Sequence, residues 1–423
     1  MPRAPIPVAS HDTGPADAGP ADAGGEVASS TDPGARPSGP LSGIRVLEFG
    51  QIAAGPFCAM LLADLGADVV KVEKPDGGDD MRRWPPMTEG PDASAGRYSE
   101  NFGSVNRNKR SIAVDLKDPA AVAKLRRLAA VADVIVENFR PGVLDRLGLG
   151  YSELRGHNQK LVYTSLTGYG QTGPYAGRGA FDVTIQAASG LMSVTGEPGG
   201  VAVKAGVPVG DFVAGLYAAF TTLAAVMAAR TSGLGTRVDC SMLGGLLGIA
   251  QLQTSEFFGT GRIPQPLGSA HPRNAPYRGF RASDAPFVVA AGNDRLWHSV
   301  CEATGLDALK ADPRFTTQEQ RARNQGELFD LLQPVFETKT AGHWLAEFDR
   351  RGVPCAPIND YAEILDDPQV AHLGLVHPMT LPNGRQTRTV GFPVQVAGFE
   401  FRIYRRPPAL GEHNAEVERE WLG

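Results

Sequence analysis

The sequence predicts an α/β fold: a parallel sheet with helices on both faces, followed by a smaller α/β domain. Three observations point there. Strand-like apolar runs alternate with helical patterns between residues 44 and 168. At 423 residues the chain exceeds one simple core. Its 51 Gly and 33 Pro supply the turns that many short elements require. In such sheets the crossovers are right-handed and ligands sit at the carboxyl ends of the strands.

Residues 1–40 are dominated by Pro, Ala, Gly, Ser and Asp and include the tandem "PADAGPADAG". They cannot bury enough apolar surface to order themselves, so a disordered extension is expected. Order begins at Leu41. "IRVLEF" (44–49) alternates like a strand, and "GPFCAMLLADLG" opens with Pro56 at a helix start and closes on Gly66. "DVVKVE" (68–73), "DVIVENF" (133–139) and "LVYTSLTG" (161–168) are further strands. A helix at 119–132 and a weaker one around 143–157 separate them. The result is a Rossmann-like parallel sheet, assigned to a large domain over 41–230.

A long apolar helix, Phe212 to Ala229, is followed by a turn, a short strand and another helix. The Pro-, Gly- and Arg-rich residues 260–280 read as a connection. "PFVVAAG" is a strand, with helical patterns near 294–304, 325–336 and 341–351. A small domain with its linkers is therefore placed at 231–350. The Pro-rich segment 351–423 lacks a core of its own and is expected to return to the large domain.

Hydrophobic content of 42% and charged content of 21% are ordinary for a soluble globular protein. A net charge of −5 gives no basic footprint for nucleic acid, although a local basic pocket for a phosphorylated ligand is compatible with it. The four cysteines, Cys58, Cys240, Cys301 and Cys355, are widely spaced. They favour neither a zinc site nor a disulfide framework, and read as thiols of a reducing compartment. No metal site is expected. The N-terminus has no apolar core of a secretory signal, and its acidic residues argue against a transit peptide, so the cytoplasm is expected. Residues 212–229 just reach the length of a membrane span, but their many Ala residues favour a helix packed inside a domain.

"GYGQTG" (168–173) matches a dinucleotide fingerprint, yet "GPYAGRGAF" follows it as a loop where that fingerprint needs a helix. No GxSxG, HExxH or GxxxxGK[ST] is present. Lys71, Lys74, Arg107, Lys109, Arg110, Arg140 and Arg146 gather in the first third. Each reads as a solvated cation, or several together as anchors of a phosphate-rich ligand. Asp211 is the single charged residue between Ala205 and Ala229. It is either the N-cap of the long helix or, being a carboxylate in apolar surroundings, a nucleophile.

"AGPFCAMLLADLGADVVKVEKPDGGDDMRRW", "SVNRNKRSIAVDLKD", "ENFRPGVLDRLGLGY", "LTGYGQTGPYA", "GAFDVTIQAASGLM" and "LGEHNAEV" together resemble the class III coenzyme A-transferases, in order, from about Leu41 to the C-terminus. The likeness is greatest to the succinyl-CoA-dependent dicarboxylate transferases. It implies a two-domain α/β subunit, an interlocked homodimer, and acyl-CoA with a small carboxylic acid as substrates, no cofactor being permanently bound. Asp211 takes the place of the family's catalytic aspartate, which forms an anhydride and then an aspartyl-CoA thioester.

The CoA contacts the resemblance implies are Gln51, Ile52, Ala54, Lys74, Val114, Lys117, Asn138, Phe139 and Arg146. Related racemases use a His–Asp pair in a "GHD" motif; here Phe181 replaces the histidine before Asp182, and phenylalanine moves no proton. The racemase and a non-catalytic acyl-CoA-binding protein are the alternative functions. Asp182 is either a site residue or a structural acid. A glycine-rich lid found in formyl-transferring members is replaced by "GSAHPRNAPY", which argues against formyl or oxalyl transfer. That segment offers His271 and Arg273 for an acceptor's second carboxylate, Arg273 being the better fit because its planar fork binds carboxylate in two places. The alternative is a surface or interface arginine.

Overall fold

The computed structural model describes residues 38–423. Residues 1–37, most of the expected extension, lie outside the described residues. The chain forms two compact units. The larger holds 38–194, Ala202–Pro264 and Asp367–Gly423, and the smaller holds Thr195–Val201 and Gln265–Asp366.

Six strands form the sheet of the larger unit: β1 (Arg45–Phe49), β2 (Asp68–Glu73), β3 (Lys109–Ala113), β4 (Val134–Glu137), β5 (Val162–Thr167) and β6 (Arg237–Ser241). They are hydrogen-bonded in the order β3-β2-β1-β4-β5-β6, all parallel. The strand order reverses between β1 and β4, which opens a crevice at their carboxyl ends. β3 escapes a reading by pattern, since its "KRSIA" opens with two cations, yet Lys109 and Arg110 are both buried.

The helices considered below are α1 (Ala54–Asp64), α2 (Pro119–Ala130), α3 (Asp182–Ala188), α4 (Val209–Ser232), α5 (Met242–Ile249), α6 (Gln251–Thr260) and α7 (Asn414–Leu422). α2 starts as its sequence dictates, with the Asp118 side chain accepting from Ala120 N and Pro119 in the first turn. Side chains alternate across each strand, so each face has its own core. Val46, Val69, Val134 and Val162 pack with α1, α4 and α5. Leu47, Val70, Ile135 and Tyr163 pack with α2 and with Val417 and Trp421 of α7.

The long apolar helix runs three residues further at each end than its uncharged stretch. Mean hydropathy over 18 residues of α4 reaches 1.8, and among the described residues it is the one helix long and apolar enough to cross a membrane. Its Ala214, Ala218, Ala225 and Ala229 are buried in the first core, and Thr222 bonds Thr164 of β5 at 2.6 Å.

Segment 231–264 differs in placement from its sequence assignment. β6 pairs with β5, so these residues join the larger unit by hydrogen bonding that composition does not display. The returning segment likewise begins at Asp367 rather than 351, because Cys355–Pro357 pairs with Pro286–Ala290 in the smaller unit. That unit has a three-stranded antiparallel sheet completed by Tyr277–Arg281, which overlaps the end of the segment read as a connection. Its core is aromatic, with Phe336 edge-on to Phe280, Phe287 and Trp344.

Candidate active site

The residues implied as CoA contacts fall at one edge of the sheet. Gln51, Ile52 and Ala54 follow β1, Lys74 follows β2, Val114 and Lys117 follow β3, and Asn138 and Phe139 follow β4. Arg146 ends the short helix Val143–Arg146 just beyond. Four adjacent strand ends thus converge on the crevice where a parallel sheet binds ligands.

The loop after β1 is tightly built. A Cβ on Gly50 would meet Pro56 Cδ at 2.8 Å, and one on Gly55 would meet Gly50 Cα at 3.1 Å, so only glycine allows the chain to fold back here. Ile52 has φ +65°, the left-handed region that a β-branched residue rarely enters. Asn138 Nδ2 donates to Gln51 O and its Oδ1 accepts from Gln51 N, both at 2.8 Å. The Asn138 amide therefore fixes the loop.

Of the other implied contacts, Lys74 and Lys117 are exposed, the former paired with Asp80 at 2.9 Å. Val114 lines a groove of about 270 Å³ with Ala121, Leu125 and Asn414. Phe139 is half-buried against the second core, and Arg146 is exposed.

Several of the clustered cations are not solvated, and they do not await phosphate. Lys71 and Lys109 are fully buried and share Glu48, at 3.0 and 2.9 Å. Arg107 is buried against Asp64 at 2.7 Å, and Arg110 pairs with Asp68, Glu416 and Glu420. A parallel sheet covered on both faces leaves a strand charge no solvent, so each takes a carboxylate partner. Sequence reasoning missed Glu48, Asp79 and these pairings. The signal was present, since Glu48 sits between Leu47 and Phe49 and Lys71 between Val70 and Val72.

Asp211 is the third residue of α4 and Pro208 takes the cap position, so Asp211 lies inside the first turn rather than capping it. Its carboxylate is partly buried, and among the described residues no donor is bonded to it. Burial, and then the charge of Asp182, push its pKa up from 3.8 to about 6. Asp182 opens α3; its Oδ1 accepts from Gly210 N at 2.7 Å and its Oδ2 from Gln186 Nε2 at 2.6 Å. It thus serves as the acceptor for the first turn of α4, beside Asp211. Phe181 before it is 70% exposed.

Two contacts tie the start of α4 to α1, which follows the β1 loop. Phe212 meets Phe57 edge-on at 4.7 Å, and a Cβ on Gly215 would come within 2.8 Å of Phe57 and 3.0 Å of Ala54 O. α1 and α4 therefore cross at glycine distance, and Ile52, Phe57 and Phe212 share one apolar cluster with Ala53 and Met81. An acidic side chain with a raised pKa, on a helix N-terminus beside a strand-end crevice, suits a nucleophile whose intermediates are shielded from water.

His271 and Arg273 belong to the smaller unit. His271 Nδ1 accepts from Arg273 N at 3.1 Å and its ring packs on Tyr277 at 5.0 Å. Burial and the Arg273 charge hold its pKa below the usual value. "GYGQTG" is followed by turns up to α3, and no helix receives a pyrophosphate there.

The model of CoA-transferase family III matches residues 41–414. Succinate–glutarate CoA-transferase of Agrobacterium fabrum is 39% identical over 379 residues, 89% of this chain and 94% of the relative. Human succinyl-CoA:glutarate CoA-transferase is 38% identical over 384 residues, covering 90% and 86%. A crystal structure of a CAIB/BAIF family protein from Brucella suis superposes with a TM-score of 0.81 at 35% identity, over 90% of this chain and 99% of that one. With the parallel sheet and the strand-end site already in place, these likenesses make the chain a member of CoA-transferase family III, an enzyme that transfers coenzyme A.

Proposed function

We propose that this enzyme moves CoA from succinyl-CoA, or a similar donor, to a small dicarboxylic acid, with Asp211 as the nucleophile. The Asp211 carboxylate attacks the thioester carbonyl, expelling CoA thiolate and leaving a mixed anhydride. The thiolate attacks the Asp211 carbonyl, giving an aspartyl-CoA thioester and free succinate. The acceptor carboxylate attacks that thioester, forming a second anhydride and freeing the thiolate again. Attack of the thiolate on the acceptor's acyl carbon releases the new CoA ester and restores Asp211.

The observation that carries this reading is the Asp211 carboxylate itself, partly buried, unbonded by any donor among the described residues, and set in the first turn of α4 beside the β1 loop. Poor solvation strengthens a carboxylate nucleophile, and the helix N-terminus offers oriented dipoles to developing charge. The relatives that act on succinyl-CoA and glutarate support the substrate class. Racemisation would need a second acid/base, and Phe181 supplies none.

The reading extends to a homodimer, interlocked as the resemblance implies, working in the cytoplasm. An apolar face along α4 and α6 supports the dimer: Leu216, Phe220, Met227, Leu252 and Phe258 are all more than half exposed. Four free cysteines suit a reducing compartment. The test of the nucleophile is incubation with succinyl-CoA alone. A hydroxylamine-sensitive adduct on the peptide containing Asp211 is expected, and none in Asp211→Ala, which should lose transfer while staying folded. Full activity in Asp211→Ala would refute the assignment.

A further inference from the structure

Beneath the β1 loop lies a buried ionic cluster that the reaction above does not use. Lys71 Nζ donates to Glu48 Oε1 at 3.0 Å and to Gly50 O at 2.6 Å, and lies 2.9 Å from Asp79 Oδ2. Lys109 Nζ donates to Pro56 O at 2.8 Å and to Asn106 Oδ1 at 2.9 Å, and pairs with Glu48 Oε2. The two ammonium groups and the carboxylates of Glu48 and Asp79 balance in charge, all four side chains being fully buried. Each lysine holds one carbonyl, and the two carbonyls flank residues 51–55.

Asp79 completes the clamp. Both of its carboxylate oxygens accept from Ile52 N, at 3.1 Å each, and Oδ1 also accepts from Met81 N at 3.0 Å. Its own amide donates to Glu73 Oε2, and Glu73 is gripped through both oxygens by Arg82 at 2.7 Å. The residue Asp79 grips is the left-handed Ile52. A β-branched residue persists in that conformation only where its surroundings over-determine it, and such strain clusters at ligand sites.

We infer that Asp79, backed by Lys71, is a positioning residue: it holds Ile52 left-handed so that the backbone of residues 51–53 is set in advance for the acyl-CoA thioester. This rests on the proposed function and on the CoA contacts at Gln51, Ile52 and Ala54 that the resemblance implies. Neither side chain touches the reacting atoms; the buried charges fix the loop through its backbone, and a fixed loop loses less freedom when the substrate binds.

A four-protein cycle tests this: wild type, Asp79→Ala, Ile52→Gly and the double variant, each titrated with succinyl-CoA by calorimetry and assayed for transfer. Asp79→Ala is expected to weaken succinyl-CoA binding about tenfold, the scale of one strained residue released, with little change in the KM of the acceptor acid. In the Ile52→Gly background, where the left-handed conformation is nearly free, the same substitution is expected to lose less than threefold. The apolar contacts of Ile52 are absent from both halves of that comparison and cancel. If Asp79→Ala is insoluble because it strands Lys71, Asp79→Asn, which keeps an acceptor for Ile52 N, goes through the same cycle with a smaller but equally Ile52-dependent loss. Equal losses in the two backgrounds would mark Asp79 as merely structural and overturn the inference alone. Wild type that binds no succinyl-CoA would overturn it together with the proposed function.

Discussion

Asp211 shows how one side chain can look bland in sequence and acquire chemistry from its neighbours. In the chain it stands where a helix cap would, and only its lack of nearby charge hints at another use. In the fold it is partly buried near Asp182, and its pKa rises to about 6. Two consequences follow. As the proposed nucleophile, Asp211 must be ionised, so kcat/KM is expected to fall about tenfold per pH unit below about 6 while the protein remains folded. The folded form also favours the protonated carboxyl more than the unfolded chain does. That stabilisation is complete below pH 4 and is lost as pH rises through 6. Asp211→Asn should therefore gain on the order of 2–3 kcal/mol over wild type at pH 7.5 and nothing at pH 3.5, read from denaturant midpoints. Arg273, which the sequence offers for an acceptor's second carboxylate, gives the third expectation. Arg273→Ala should raise KM for dicarboxylates at least tenfold more than for monocarboxylates of equal length, and equal effects would rule that role out.

Among the elements, the crossing of α1 and α4 sets how closely the first turn of α4, with Asp211, approaches the β1 loop. Gly215 is the contact point, since any Cβ there runs into Phe57 and Ala54 O. Gly215→Ala is expected to force the helices apart, costing about 1–3 kcal/mol in unfolding free energy and lowering kcat more than it raises either KM. Retained stability and activity would show that the crossing tolerates a wider spacing. β3 makes the complementary point: its cations hide it from pattern reading, yet Lys109 links it to Glu48 of β1 across β2, and Arg110 links it to α7. Neither could be read as buried without knowing that four carboxylates, Glu48, Asp68, Glu416 and Glu420, would arrive from distant parts of the chain.

For the whole molecule, the exposed apolar faces of α4 and α6 are the surface the proposed dimer would cover. Phe220→Asp, at an exposed position 56% open in the single chain, is expected to convert a dimer to monomer or to insoluble protein in light scattering, with wild type dimeric at micromolar concentration. Monomeric wild type would refute the dimer. If the subunits are interlocked, differently tagged preparations should form no hybrids on mixing until both are unfolded and refolded together.

Much of this protein is legible in its amino-acid order. Periodicity places β1, β2, β4, β5, α1 and α2 nearly at their observed bounds, because each buries apolar side chains in a local repeat that any reader of the chain can count. The motifs from Leu41 onward indicate the family, and the aspartate at the head of α4 is the residue on which the proposed chemistry rests. Tertiary structure alone decided which charges are buried, that β6 joins the larger unit, that Asp182 serves the first turn of α4, and that Ile52 is held left-handed by Asp79. The physical reason is the same in each case. Burial of an apolar run is announced by its own neighbours, whereas a buried charge or a strained backbone is tolerable only because of a partner that folding brings from elsewhere.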